Sequence, residues 1–543
     1  MARGQKGPNR AADTMDWSAS VVTTLSSDTE PSVLVTFPHA KYIFNVSENT
    51  NRAFLQNASN WKKIQGMFFT QASVQRMSGA SGLLMTFADA TIQKLNIVGP
   101  PGTGHYLASA RPYLYRNTMS VEVTDVAMDA PRETLPEPVL KDKDISIYGL
   151  PIVPDSAPSE PSRPSSPSPT LKRKRSASPE GPVKRKEAPS ERLSPSLAPS
   201  DAPAAPADAS SAPPAPPSDA TLDSVMSRAD FTPATLSGSL AADYIKGVHA
   251  CMFSKQTQPA QGGGKKARKQ QTQQVKGSGP SDTNAPGEPD VFRRGDLPPG
   301  FNSQLPPPVG VDPSASNTPP TLAYVVLGPR IRGKFDAAAA TALGVPSGPL
   351  RGDLAKGISV IVQVQNEAGE TLDRVVQPSE VMSESLPPSA VIILDVPSPA
   401  YIPSLINSFT NAPLYSRLRS RKAEDAKEYA TRAIFHKLGQ GVLDDARYVE
   451  FMNGFPEDTH HIVSSRDHCP DPVTMTSAAF GQLRLSQLDP DIFHVPKFSL
   501  DAKRPLKDIP NQPPSTHVMT TDTHVTIRPP SPPKLDPYAQ DKF

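Results

Sequence analysis

A mixed α/β fold, with helices packed on sheet and long Pro-rich insertions breaking the chain, is what this sequence predicts. Three observations carry the expectation. Strand-like and helix-like segments alternate from about Ser18 to Leu150. The same alternation resumes at Leu322 and continues to about Lys503. Between and after these blocks lie stretches rich in Pro, Ser and Ala, with too few aromatic and branched apolar residues to offset the entropy of ordering.

In chain order, Ser32 to Phe37 and Lys41 to Val46 read as strands around the turn Pro38-His39-Ala40. Helical patterns follow over Glu48 to Leu55 and Gly79 to Ala90. The strand Lys94 to Val98 then runs through Gly99-Pro-Pro-Gly into a helix from about His105. Residues 16–150 thus form the first part of the α/β domain. Residues 151–235 are a disordered Pro/Ser/Ala-rich linker with basic clusters. Over 236–320 one amphipathic island, Ala242 to Phe253, precedes a second flexible stretch. Residues 321–505 restore order with a strand at Leu322 to Leu327. There Asp336 is placed to cap a helix through the alanines, and Gly344 to stop it in the left-handed region. Strands at Ile358 to Val364 and Val391 to Val396 follow, then helical pattern from Leu414 to Leu438 and a strand at His461 to Ser464. The Pro-rich stretch 506–543 reads as a tail.

Composition narrows the function classes. With 64 prolines and a hydrophobic fraction of 37%, much of the 543-residue chain lies outside any core. The formal charge of +2 conceals local basic clusters. Two cysteines, Cys251 and Cys469, provide neither a disulfide framework nor a Cys-based metal site and suit a reducing compartment. No apolar run approaches the ~20 residues of a membrane span, so no membrane partner is expected. The start, Met1 to Arg10, is basic and acid-free, which leaves a mitochondrial address open.

The segment Phe69 to Gly79 has the frame of a metallo-β-lactamase metal loop: an apolar strand ending in Thr70, a short turn, and a Gly opening a helix. In an active loop the pattern His-x-His-x-Asp-His aims its ligands at zinc, which makes hydroxide from water near neutral pH. Here the four ligand positions read Gln71, Ser73, Gln75 and Arg76. Amides and hydroxyls are poor zinc ligands, and a protonated guanidinium repels the ion. No catalytic residue, metal ligand or cofactor of this chain is therefore expected.

Other motifs fall short of chemistry. Gly99-Pro-Pro-Gly-Thr-Gly104 follows a strand and precedes a helix, but His105 and Tyr106 stand where a phosphate loop needs Lys and Ser/Thr. His460, His461, Asp467, His468 and Cys469 are dense in possible ligands, yet adjacent His residues in a strand face opposite sides. Lys172, Arg173, Lys174, Arg175 and, after a spacer, Lys184, Arg185 and Lys186 have the form of a bipartite nuclear-import signal, which makes an import receptor an expected partner. A further basic run holds Lys265, Lys266, Arg268 and Lys269, with Arg293 and Arg294 beyond it.

Six stretches together resemble the amino-terminal half of a fungal-type long-form tRNase Z: Tyr42 to Ala53, the loop from Phe69 to Gly79, Leu95 to Gly102, Gly333 to Pro349, Val391 to Tyr401 and Leu488 to Phe493. The resemblance implies a metallo-β-lactamase-like αββα sandwich, degenerate and metal-free in this half, carrying the long disordered insertions. It implies tRNA 3′-end processing, with precursor tRNA as partner. A flexible arm over 236–320 would grip the tRNA, its contacts being Lys246, Lys265, Lys266, Arg268, Lys269, Arg293 and Arg294. In the family, zinc sits in the carboxy-terminal catalytic half, whose His-x-His-x-Asp-His loop has no counterpart in this sequence. Residues Ile527 to Phe543 resemble the linker leading into that half. The chain is then expected to be either a truncated gene model or a stand-alone half that meets the catalytic half as a partner, and to be inactive alone. The expected compartment is the nucleus, with the mitochondrion as a second address. The rival reading is a nuclear interaction protein that uses the dead scaffold to bind protein.

Overall fold

The computed structural model describes residues 16–155, 221–253 and 297–535, apart from short interruptions at 57–60, 91, 117, 129–133, 144, 312–318, 332, 366–370, 496–497 and 500. In the first block the strands are β1 (Trp17–Thr23), β2 (Ser32–Thr36), β3 (Lys41–Phe44), β4 (Ile64–Phe68), β5 (Lys94–Gly99), β6 (Ser120–Asp125), β7 (Leu140–Lys141) and β8 (Ser146–Ile152). The later block supplies β9 (Thr321–Leu327), β10 (Val360–Gln365), β11 (Thr371–Val376), β12 (Ser389–Val396), β13 (Ala430–Leu438), β14 (His460–Ser465), β15 (Thr516–Val518), β16 (Thr523–Arg528) and β17 (Lys534–Leu535).

They form an eight-stranded sheet in the order β17-β16-β1-β2-β3-β4-β5-β6 and a seven-stranded sheet in the order β15-β14-β13-β12-β9-β8-β7. The first sheet is antiparallel from β17 to β3 and parallel from β3 to β6. The second is parallel from β15 to β12 and antiparallel from β12 to β7. Between the sheets lies an aromatic core. Tyr42, Phe44 and Phe68 meet Tyr324 and Phe435, with Phe44 stacked on Phe68 at 4.9 Å and Tyr324 edge-on to Phe68 at 5.4 Å.

The outer face of the second sheet is buried by the helices Ile402–Asn411, Pro413–Leu418 and Ala446–Asn453, through Leu405, Phe409, Leu414, Tyr448 and Phe451. On the first sheet Ile43, Met67 and Ile97 alternate with the core-facing Tyr42, Phe68 and Val98 and are equally buried, so that sheet is covered on both faces as well. The architecture is the αββα sandwich of metallo-β-lactamase type. A smaller module, from the helix Ala337–Ala342 to the helix Pro378–Val381, has its own core of Ala340, Val345, Leu354, Val360 and Val376 around the β10–β11 hairpin. Asp336 caps its first helix by accepting from Ala338 N and Ala339 N, and Gly344 takes φ 78° just beyond the helix end.

Two expectations need correction. The helical pattern over Leu414 to Leu438 holds only to Glu428; Ala430–Leu438 is β13, seated between β12 and β14 and buried along most of its length. Its Thr, Ile and Phe suit a strand flanked on both edges, and tertiary pairing outweighs local propensity. The stretch read as a Pro-rich tail from 506 supplies β15, β16 and β17, and β16 pairs with β1 to extend the first sheet. Its prolines flank the alternating Thr523–Arg528 segment and leave the ladder donors intact. Within the arm expected over 236–320, the helix Gly238–Met252 is seated in the fold, with Tyr244, Val248 and Met252 buried and His249 Nε2 2.9 Å from Gly104 O, while residues 254–296 lie outside the described residues.

Candidate functional site

The loop after β4 keeps the geometry of a metal loop. Phe69 N still bonds to Val98 O, and the short helix Val74–Met77 is stitched to the β3 side by Val46 N to Arg76 O and Gly79 N to Val46 O. Gly79 is required there, since a Cβ would lie 2.1 Å from Ser47 O. Gln71, Ser73, Gln75 and Arg76 all line one cleft of about 740 Å³ between the ends of the two sheets, so the loop still aims its four positions at one place.

What fills that place is an ion-pair network. Arg76 grips Asp395 with two hydrogen bonds, Nε to Oδ2 at 2.6 Å and Nη2 to Oδ1 at 2.9 Å, and the Thr70 hydroxyl donates to the same carboxylate at 2.5 Å. The pair is deeply buried, with side chains 8% and 1% exposed. Glu30 lies 3.5 Å from Arg76 Nη1 and also receives Lys437 and Arg466, the latter at 2.8 Å. Lys503 reaches Asp467 at 3.6 Å on the rim.

Burial alone would raise the Asp395 pKa; the Arg76 guanidinium, helped by Lys437 and Thr70, outweighs it and holds the carboxyl below its usual range. Burial likewise acts to lower the pKa of Arg76, and Asp395 and Glu30 reverse it. Lys437 is pulled down to about 8, chiefly by burial and then by Arg76, against the attraction of Asp395 and Glu30.

The donor set does not fit zinc. Two amides and a hydroxyl face the cleft, and the remaining loop position holds a fixed cation within bonding distance of the carboxylate a metal would need. Ser73 Oγ is buried without a hydrogen-bond partner among the described residues. No group of three or more His, Cys, Asp or Glu side chains is placed to hold a metal among the described residues.

The other sequence motifs resolve structurally. In the Gly-rich loop, Gly102 N and Gly104 N both donate to the Asp125 carboxylate, at 3.1 and 3.0 Å, so the donors a phosphate would need are taken by the chain itself. His460 and His461 do face opposite sides of β14. His460 lies against His517, whereas His461 Nδ1 is 2.9 Å from His436 Nε2, and His436 Nδ1 is 2.7 Å from the Tyr448 hydroxyl. Burial, then nearby imidazoles, lower both pKa values, His461 to about 3, which keeps both rings neutral.

Lys246 lies exposed on the helix Gly238–Met252, 3.5 Å from Asp243. Lys265, Lys266, Arg268, Lys269, Arg293 and Arg294 lie outside the described residues, as do Lys172 to Arg175 and Lys184 to Lys186. Among the described residues, no helix is long and apolar enough to cross a membrane. Glu30, Asp395, Lys437 and Arg466 are the site residues that sequence reasoning missed. One signal was available for Asp395: a carboxylate inside the apolar run Val391 to Val396 must find a buried cation.

Residues 20–79, which end at the loop, match the family model described as tRNase Z endonuclease. Over this stretch the chain is similar to tRNase Z. It is 29% identical over 177 residues to the mitochondrial tRNase Z TRZ4 of Arabidopsis thaliana, covering 32% of this chain and 18% of that relative. Ribonuclease Z 1 of Schizosaccharomyces pombe is 28% identical over 174 residues, again 32% of this chain and 18% of the relative. Ribonuclease Z of Saccharomyces cerevisiae is 27% identical over 173 residues, 31% and 18% of the two chains. The similarity to these tRNase Z relatives thus spans about a fifth of their length. The crystal structure of a long-form RNase Z from yeast aligns with 94% of this chain and 48% of that one, at 13% identity and a TM-score of 0.48.

Proposed function

We propose that this chain is the noncatalytic, tRNA-binding and scaffolding half of a long-form tRNase Z, working in tRNA 3′-end processing beside a carboxy-terminal catalytic half that carries the zinc. The observation that supports it best is the Arg76–Asp395 pair: a cation made of protein occupies the bottom of a metal loop whose frame is otherwise kept. A fold conserved in shape around a neutralised centre serves binding and support rather than hydrolysis. The partners in this reading are precursor tRNA, the catalytic half and an import receptor. The compartments in this reading are the nucleus, addressed through Lys172 to Lys186, and the mitochondrion.

In this reading tRNA is held by the basic run Lys265, Lys266, Arg268 and Lys269, with Lys246, Arg293 and Arg294 in support. Phosphate contacts of this kind depend strongly on salt and little on sequence. Titration of folded precursor tRNA at several salt concentrations tests it. Replacing the four residues of the run with Ala should weaken binding and flatten the log-log salt slope by up to about 3–4. Equal affinity and slope for parent and variant remove this run from the tRNA site. Tight, salt-insensitive binding to a protein with no tRNA binding favours the nuclear interaction protein instead.

A further inference from the structure

The charges of the retired metal cleft do not cancel. Four cations, Arg76, Lys437, Arg466 and Lys503, line it against three carboxylates, Glu30, Asp395 and Asp467. Arg76 is matched by Asp395, and Lys503 by Asp467 at 3.6 Å. Lys437 and Arg466 are left to share Glu30, one on each of its oxygens, so one positive charge stays uncompensated. Because a single carboxylate draws both cations, they stand side by side. Each uses one N–H on Glu30 and keeps others free, Lys437 with its side chain 13% exposed and Arg466 with 64%.

Gln71 points the same way. It is 7% exposed, lines this cleft and has no hydrogen-bond partner among the described residues. A buried amide left unpaired is destabilising, and the hydroxyl of Ser73, two positions on, is unpaired as well. Donors without acceptors beside surplus positive charge suit an oxyanion, which accepts from several N–H and O–H groups at once. The cleft is also roomier than a bare ion requires: its 740 Å³ falls within the range of small-molecule sites, and Leu25, Pro397 and Tyr401 give it an apolar wall.

We propose that this cleft binds a phosphate monoester, its phosphate received by Lys437, Arg466 and the Gln71 amide, with Lys503 at the rim and the organic part against the apolar wall. A terminal phosphate offers an acceptor oxygen to each of these three donors and brings the negative charge the cleft lacks. The cleft holds such a group whether or not the basic run beyond Lys265 grips tRNA. The phosphate belongs either to a free ester or to the end of an RNA.

Isothermal titration calorimetry on the full chain, with uridine 5′-monophosphate, inorganic phosphate and uridine as probes, tests the site. The monophosphate should bind saturably, inorganic phosphate more weakly, and uridine not at all. Arg466→Ala combined with Lys503→Ala should weaken the monophosphate by about 10-fold or more. Gln71→Leu should weaken it by about 5-fold without lowering the thermal midpoint, because the fold loses no hydrogen bond. Lys94→Ala combined with Lys356→Ala removes the same charge from exposed positions outside the cleft and should leave the affinity unchanged. Displacement of the monophosphate by precursor tRNA supports an RNA end as the source, and undisturbed binding supports a free ester. No saturable binding of either phosphate at millimolar concentration overturns the proposal, as does uridine binding as well as its monophosphate. An affinity that the cleft pair leaves intact, or that the outlying pair lowers equally, marks an adventitious ion only and overturns it too.

Discussion

Asp395→Ala is the perturbation that asks most of the ion-pair network. The carboxylate accepts both hydrogen bonds of a bidentate Arg76 and one from Thr70, with its own side chain 1% exposed. Removing it leaves the Arg76 guanidinium, 8% exposed, with Glu30 at 3.5 Å as an anionic neighbour and Lys437 as a like charge nearby. Stranding one member of a buried pair costs about 3–5 kcal/mol, most of it the desolvation of the charge left behind. Removing both charges is a different case: in Asp395→Leu combined with Arg76→Met no stranded charge remains from the pair, and the expected cost is about 1 kcal/mol. The double-mutant cycle should therefore show coupling of at least about 2 kcal/mol. Urea unfolding of the full chain is the assay, with the buried Trp17 reporting on the sandwich core through its fluorescence. A single-mutant cost below about 1 kcal/mol, or a double mutant as unstable as the two singles added, would refute the claim that this pair is the structural substitute for a metal.

Gly79→Ala should destabilise the fold by about 3 kcal/mol, since its Cβ would press on a backbone oxygen 2.1 Å away, while Gly82→Ala, exposed on the next helix with nothing within 4 Å, should stabilise it by about 0.5–1 kcal/mol; thermal melts of the two variants must move in opposite directions. Stability should also fall with acid through the His436–His461 pair. Both rings are held neutral in the fold, His461 with a pKa of about 3, while in the unfolded chain they titrate near 6.5, so the unfolded state takes up protons the fold refuses as pH drops below that value. At pH 5 the loss approaches about 2 kcal/mol per ring. His461→Gln should therefore flatten the stability profile between pH 6.5 and pH 5, and a profile parallel to that of the parent would count against it.

What was readable in the sequence is what local chemistry decides. The β2–β3 hairpin, the helix opened by Gly79, the Asp336 cap and the Gly344 stop each depend on a few neighbouring residues. The loop positions Gln71, Ser73, Gln75 and Arg76 were also readable, because spacing alone identifies the frame. The partners of that loop were not: Asp395 lies 319 residues from Arg76, and Glu30 and Lys437 are 407 apart. Strand β13 was misread for the same reason. Its own composition continues the helical run before it, and only the flanking β12 and β14 commit it to the sheet. The late strands β15 to β17 hid behind prolines that sit beside the ladders, not in them.

Metal content, read together with precursor cleavage, tests the central claim most directly. The purified chain, equilibrated with zinc, washed free of excess and assayed by elemental analysis, should retain far less than one zinc per chain and leave precursor tRNA uncut. One or more tightly held zinc ions, accompanied by metal-dependent trimming at the 3′ end, would contradict the reading of Gln71, Ser73, Gln75 and Arg76 as a retired metal loop closed by Asp395.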